Sequence, residues 1–185
     1  MRAEENVVFP LKLADYLAYS KYLVYFCVHL FGKIFTNTIT SNLNLISKTM
    51  KVSHIEHLGI AVKSLDEAIP YWENVIGLKC YAIEEVPDQK VRTAFLMLGQ
   101  TKIELLEPTS EDSTITKFIE NRGVGIHHMA LACEQIEEQL ADAEAHGIRL
   151  IDKTPRKGAE GMTIAFLHPK STQGILTELC ENKNK

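Results

Sequence analysis

A chain of 185 residues with 45% hydrophobic content is long enough to bury one full core or two small fused ones. A formal net charge of −4 gives no long-range pull on nucleic acid or an anionic membrane, so neither is expected as a partner, and an anionic ligand would need a local group of bases. Cys27, Cys80, Cys133 and Cys180 are spread along the chain without a CxxC pair, which fits reduced cysteines in a cytoplasmic protein better than a disulfide framework or a structural zinc knot.

Residues 1–49 differ from the rest. They hold eight of the fourteen aromatic residues, and their most apolar part, Tyr22 to Phe31, is shorter than the roughly 20 residues a membrane-spanning helix needs. The acidic Glu4–Glu5 start and the absence of a small-residue cleavage site argue against a secretory signal. We read this segment as an appendage to a domain that begins at Met50 and fills residues 50–185.

From Met50 the strand and helix signals are regular. His54 to Val62 alternates as a half-buried strand, with His57, Gly59 and Ala61 on one face. Ser64 to Glu67 has the pattern of a capping box, so a helix is expected there, with Leu65, Ala68, Ile69, Trp72, Val75 and Ile76 as its apolar stripe and Gly77 as its stop. Pro70 inside it removes one helical hydrogen bond, at a cost of about 3 kcal/mol unless the helix kinks, so a kink is expected. Lys79 to Val86, Val91 to Leu98 and Thr101 to Leu106 read as three strands broken by Pro87–Asp88 and Gly99–Gln100. A connector with a short amphipathic helix (Ile115, Phe118, Ile119) leads to a second set: strand Gly125 to Cys133, helix Glu134 to His146, and strands Ile148 to Asp152, Met162 to Leu167 and Ile175 to Cys180.

The order β-α-β-β-β therefore occurs twice, in modules of about residues 50–122 and 123–185. His57 and His128 are 71 positions apart, Gly77 and Gly147 are 70, and Glu104 and Glu178 are 74. An α+β fold follows, with two tandem modules forming one cupped mixed sheet. A single glutamate in an aliphatic strand is usually an outward-facing carboxylate. Two at equivalent places imply a repeated partner, because burying a bare carboxylate costs several kcal/mol. A divalent metal held by His57, Glu104, His128 and Glu178 is such a partner. Two imidazole nitrogens and two carboxylates suit Co²⁺, Zn²⁺, Ni²⁺, Mn²⁺ or Fe²⁺, whereas Ca²⁺ and Mg²⁺ prefer more oxygen. Neighbouring strand residues point to opposite faces, so the repeat register selects His128 and leaves His127 to packing or to a hydrogen bond behind the ligands. His54, His146 and His168 are expected on the surface or in turns, and the cysteines in the core.

These residues resemble the vicinal oxygen chelate superfamily over Met50 to about Asn182. Within it they are most similar to the methylmalonyl-CoA epimerase family, through IEHLGIAV, TKIELLEP with its Ser/Thr-initiated connector helix, GIHHMA and FLHPKSTQGILTEL. The resemblance implies one divalent metal, Co²⁺ favoured, a CoA thioester as substrate, a homodimer, and a place between propionyl-CoA and succinyl-CoA. It implies interconversion of the R and S forms of methylmalonyl-CoA by removal of the proton between thioester and carboxylate, through a metal-stabilised enolate. Some members carry a catalytic glutamate where this chain has Thr93, which cannot act as a base. Glu178 and Glu104 are then the expected acid/base pair, and Lys170, with Arg156 and Lys157 of the loop after Pro155, is a candidate for the substrate carboxylate or the CoA phosphates. A glyoxalase I-type lyase could use the same ligand set. An extradiol dioxygenase would leave Glu104 unexplained, and a metal-free binding protein would leave all four ligand-type residues so.

Overall fold

The computed structural model describes residues 49–183. The appendage expected over residues 1–49, apart from its last residue, and Cys27 lie outside the described residues. Among the described residues no helix is long and apolar enough to cross a membrane.

The first module runs β1 (Val52–Ala61), α1 (Leu65–Tyr71), β2 (Cys80–Val86), β3 (Val91–Leu98) and β4 (Thr101–Pro108). A connector helix, α2 (Thr114–Arg122), precedes the second module of β5 (Gly125–Cys133), α3 (Ile136–Ala145), β6 (Arg156–Lys157), β7 (Thr163–Leu167) and β8 (Thr177–Glu181). The eight strands of the described residues form one sheet in the order β2-β3-β4-β1-β5-β8-β7-β6. In each module the first strand pairs parallel with the last, and the modules join antiparallel at β1 and β5. The sheet therefore has a pseudo-two-fold axis at its centre, and the expected duplication is its symmetry.

Period-two alternation sorts the side chains. On one face, Ala94, Leu96, Ile103 and Leu105 pack with Leu65 at the start of α1, and Ala165, Leu167 and Leu179 pack with Ile136, Leu140 and Ala143 of α3. On the other face, Val91, Phe95, Glu104, Leu106, Ile164, Phe166 and Glu178 surround one cavity. The sheet is curled around it strongly enough for opposite edges to meet. The Tyr81 hydroxyl of β2 donates to Glu160 Oε1 at 2.9 Å, and the Glu160 backbone N–H donates to Glu84 Oε2 at 2.9 Å, Glu160 lying just after β6.

Three local expectations are corrected. The Ser64 side chain makes no cap. The Leu65 N–H donates instead to Glu107 Oε2 at 2.5 Å, so a carboxylate from the end of β4 satisfies the helix start and ties it to the sheet. The expected kink at Pro70 takes the form of a change of helix type, α giving way to a π turn over Trp72–Ile76 that Gly77 closes at φ 83°. The strand expected over Ile148 to Asp152 is a single bridge, Leu150 to Leu167. Asp152 Oδ2 accepts from the Phe166 N–H at 2.9 Å while the Ile151 N–H donates to the Phe166 carbonyl at 2.8 Å, so a side chain shares the pairing there and Arg156–Lys157 becomes the outer strand.

Candidate metal centre

The four central strands β4, β1, β5 and β8 each bring one expected ligand to the cavity: Glu104, His57, His128 and Glu178, all buried. Their donor atoms converge. His57 Nε2 and His128 Nε2 face each other at 3.0 Å. Glu104 Oε2 lies 3.2 Å from the first and 3.5 Å from the second, and Glu178 Oε2 lies 3.8 and 3.3 Å from them. A tetrahedral ion with bonds of about 2.1 Å needs donors separated by about 3.4 Å. His57, His128 and Glu178 bring donor atoms within 4.8 Å of one another, which fits a borderline divalent cation, and Glu104 stands beside them against both imidazoles.

The electrostatics also favour a cation. Burial works to lower the pKa of His57, but hydrogen bonds to Glu104 and Glu56 outweigh it and bring the imidazole up to about 10. Burial would raise Glu104, yet hydrogen bonds from His128 and His57 hold it well below the usual carboxylate range. Glu178 behaves oppositely: burial pushes it up against the opposing pull of both imidazoles. Two buried carboxylates meet two imidazoles here, and either protons or a metal can offset the carboxylate charge.

Thr93 is buried beside the centre, and its hydroxyl donates to Glu104 Oε1 at 3.0 Å. That bond turns the other oxygen, Oε2, toward the imidazoles. Cys180 lines the wall, but burial and the nearby Glu178 push its thiol up, so it is no nucleophile at neutral pH. Cys133 is buried and Cys80 half-buried, both free. His54, His146 and His168 do not line the cavity, as expected.

Several site residues escaped the sequence reading. Glu56 Oε2 binds His57 Nδ1 at 2.5 Å, and Lys102 Nζ binds Glu56 Oε1 at 2.6 Å and Glu160 Oε2 at 2.5 Å. Alternation could have found Lys102, which stands two residues before Glu104 on the same strand face. Gly59 lies directly across from His128, where a Cβ would stand inside the imidazole ring. His127 is a correction to the alternation argument. A register shift in β5 turns it to the same cavity as His128, its Nδ1 lying 2.9 Å from His128 Nδ1 and its ring edge-on to Phe118. Lys170 stands exposed in the turn Pro169–Ser171 and does not line the cavity. Arg156 does, its guanidinium 5.4 Å over the Phe166 ring. The cavity measures about 210 Å³. That suits the acyl end of a thioester, while the nucleotide of a CoA group must lie outside it.

Residues 56–166 match the family model described as the glyoxalase/bleomycin resistance protein/dioxygenase superfamily, and the chain belongs to that family. Its relatives sharpen the class. It is 38% identical to an ethylmalonyl-CoA/methylmalonyl-CoA epimerase of Cereibacter sphaeroides, over 69% of this chain and 97% of that protein. It is 44% identical to the uncharacterized protein YqjC of Bacillus subtilis, over 71% and 94% of the two chains. Among solved structures, a Streptomyces coelicolor methylmalonyl-CoA epimerase variant in complex with 2-nitronate-propionyl-CoA superposes with a TM-score of 0.70 at 34% identity, covering 72% of this chain and 97% of the other.

Proposed function

We infer that the protein is an epimerase that interconverts the R and S forms of methylmalonyl-CoA with a divalent metal at His57, Glu104, His128 and Glu178. The observation that carries this is the convergence of those four donor atoms, one from each central strand, at the floor of a small cavity in a chain similar to methylmalonyl-CoA epimerases. When bound, a divalent ion, Co²⁺ favoured, supplies Lewis-acid stabilisation for the negative charge that develops on the thioester oxygen.

The chain's own groups handle the proton. Glu178 and Glu104 both offer Oε2 at the imidazole pair, and their environments push them apart, Glu178 up and Glu104 down. Such a split is what an acid/base pair needs. One carboxylate takes the proton from the carbon between thioester and carboxylate, the carbon becomes planar, and the other carboxylate returns a proton from the opposite face. Thr93 keeps Glu104 oriented for this role. Arg156, at the Phe166 wall, is placed to pair with the substrate carboxylate, and Lys170 is left to the CoA phosphates outside the cavity. A homodimer and a cytoplasmic location belong to the same reading.

The test is solvent exchange in D₂O. Starting from one enantiomer of methylmalonyl-CoA, the wild type incorporates deuterium at the α carbon as it epimerises. E178Q and E104Q each lower epimerisation by about 100-fold or more, the range of a lost general acid or base. Full epimerisation and exchange rates in E104Q overturn the two-carboxylate assignment. Turnover of a hemithioacetal in place of methylmalonyl-CoA favours the glyoxalase I-type reaction instead.

A further inference from the structure

The two ligand histidines are preceded by matching irregularities. Along the β1–β5 ladder, Ile55 pairs with Leu131 and His57 with Ala130, so Glu56 is an extra residue in β1. Farther along, Gly59 pairs with His128 and Ile60 with Ile126, so His127 is an extra residue in β5. Each is a one-residue β-bulge, and the two are related by the pseudo-two-fold axis, since Ile55-Glu56-His57 and Ile126-His127-His128 occupy the same place in their modules. A regular strand would send Glu56 and His127 to the face opposite their neighbours. The bulge turns each toward the following histidine instead, with Glu56 Oε2 2.5 Å from His57 Nδ1 and His127 Nδ1 2.9 Å from His128 Nδ1.

We propose that Glu56 and His127 are positioning residues for the metal centre, each held in a β-bulge so that it binds Nδ1 of the next histidine and fixes that ring with Nε2 facing the cavity. This rests on the four-residue centre of the proposed function. The hydrogen bonds then set the proton positions. Nε2 must be bare to bind a cation, so His57 carries its proton on Nδ1 and donates to Glu56, and His128 carries its own on Nδ1 and donates to His127. His127 in turn keeps its proton on Nε2. The two holders are unlike in charge. Glu56 is a carboxylate pinned by Lys102 at 2.6 Å, while His127 is a neutral ring set edge-on against Phe118 at 5.0 Å. The pseudo-symmetric modules thereby hold the two imidazoles by unlike partners around one site.

The experiment compares Co²⁺ binding and the Co²⁺ visible absorption spectrum in the metal-stripped full-length wild type, E56A, H127L, E56Q and H127N, with thermal unfolding as a check on folding. E56A and H127L are expected to bind Co²⁺ about 10- to 100-fold more weakly with altered spectra, whereas E56Q and H127N, which keep an acceptor for Nδ1–H, stay within about threefold of wild type. Wild-type affinity and spectrum in folded E56A and H127L overturn the proposal while leaving the centre intact. A wild type that binds no Co²⁺ overturns the centre itself, and the proposal with it. Should the variants fail to fold, ¹⁵N imidazole spectra of the Zn²⁺-loaded wild type decide: Nδ1–H at both His57 and His128 with Nε2–H at His127 supports the assignment, and any other tautomer set overturns it.

Discussion

At the scale of single residues the centre depends on a missing side chain as much as on those present. Gly59 leaves the space that the His128 ring fills, and a methyl group there would overlap Cε1, Nδ1 and Nε2 of that ring. Across from His57 the equivalent residue is Ala130, so only the His128 side of the axis requires glycine. G59A is therefore expected to displace His128 and lower kcat/KM by about 100-fold, with a matching loss of Co²⁺ affinity, whereas A130G leaves both close to wild type. Steady-state kinetics and a Co²⁺ titration read this directly. Protonation acts on the same atoms. His57 is raised from about 6.5 to about 10, so in metal-free protein its contribution to stability is complete below pH 6.5 and is lost as pH rises through about 10. Metal must displace that proton, and the raised Glu178 releases one in the same direction. Co²⁺ affinity should thus climb with pH by at least about tenfold per unit through the neutral range, as competitive titrations at fixed ionic strength will report.

Elements place these residues, and here the sequence was legible to different depths. Strand alternation and the offsets of 71 and 74 residues single out His57 with His128 and Glu104 with Glu178, because duplication turns two weak signals into one strong one. Bulges leave no such trace, since the extra residue changes register without changing composition, and so Glu56 and the real direction of His127 were invisible. Ser64 as a cap failed for a related reason: the competing carboxylate, Glu107, is 42 positions away from Leu65 and reaches it only through the sheet. The segment after β6 shows the same non-local control. Glu160 sits at a left-handed φ of 52° and is held from three directions, by Lys102 and Tyr81 on its side chain and Glu84 on its backbone. All three belong to the first module, so the loop of the second module closes the cavity wall by latching onto the first. E160A removes the two side-chain bonds. We expect the thermal transition to fall by several degrees, a bond to a charged group contributing about 1.5 to 3 kcal/mol, and KM to rise more than kcat falls. Amide exchange over residues 158–162 would speed up in the same variant, and unchanged exchange would show that the loop is held by other contacts.

For the whole molecule, the sheet's centre is also the axis of the duplication, which is why four neighbouring strands can each supply one ligand. Each module alone could offer only one histidine and one glutamate. Joining them antiparallel at β1 and β5 brings each histidine within 3.0 to 3.8 Å of the other module's histidine and glutamate and leaves α1 and α3 to cover the outer face. Among the described residues, every strand, every group proposed to touch metal or substrate and all four hydrophobic clusters fall within residues 50–181. The family match, residues 56–166, lies inside the same span. The Cereibacter sphaeroides epimerase is matched over 97% of its own length by only 69% of this chain, so that relative has no room for a counterpart of a long appendage. These facts argue that the fold and the centre are self-sufficient from Met50 onward. A chain beginning at Met50 is accordingly expected to unfold in one cooperative transition, bind one Co²⁺ and epimerise methylmalonyl-CoA with kcat/KM within about twofold of the full-length protein, as a domain with its own core can fold alone. Calorimetry, metal analysis and kinetics on the two chains side by side test this, and a large loss of activity with folding intact would make residues 1–49 part of the working enzyme.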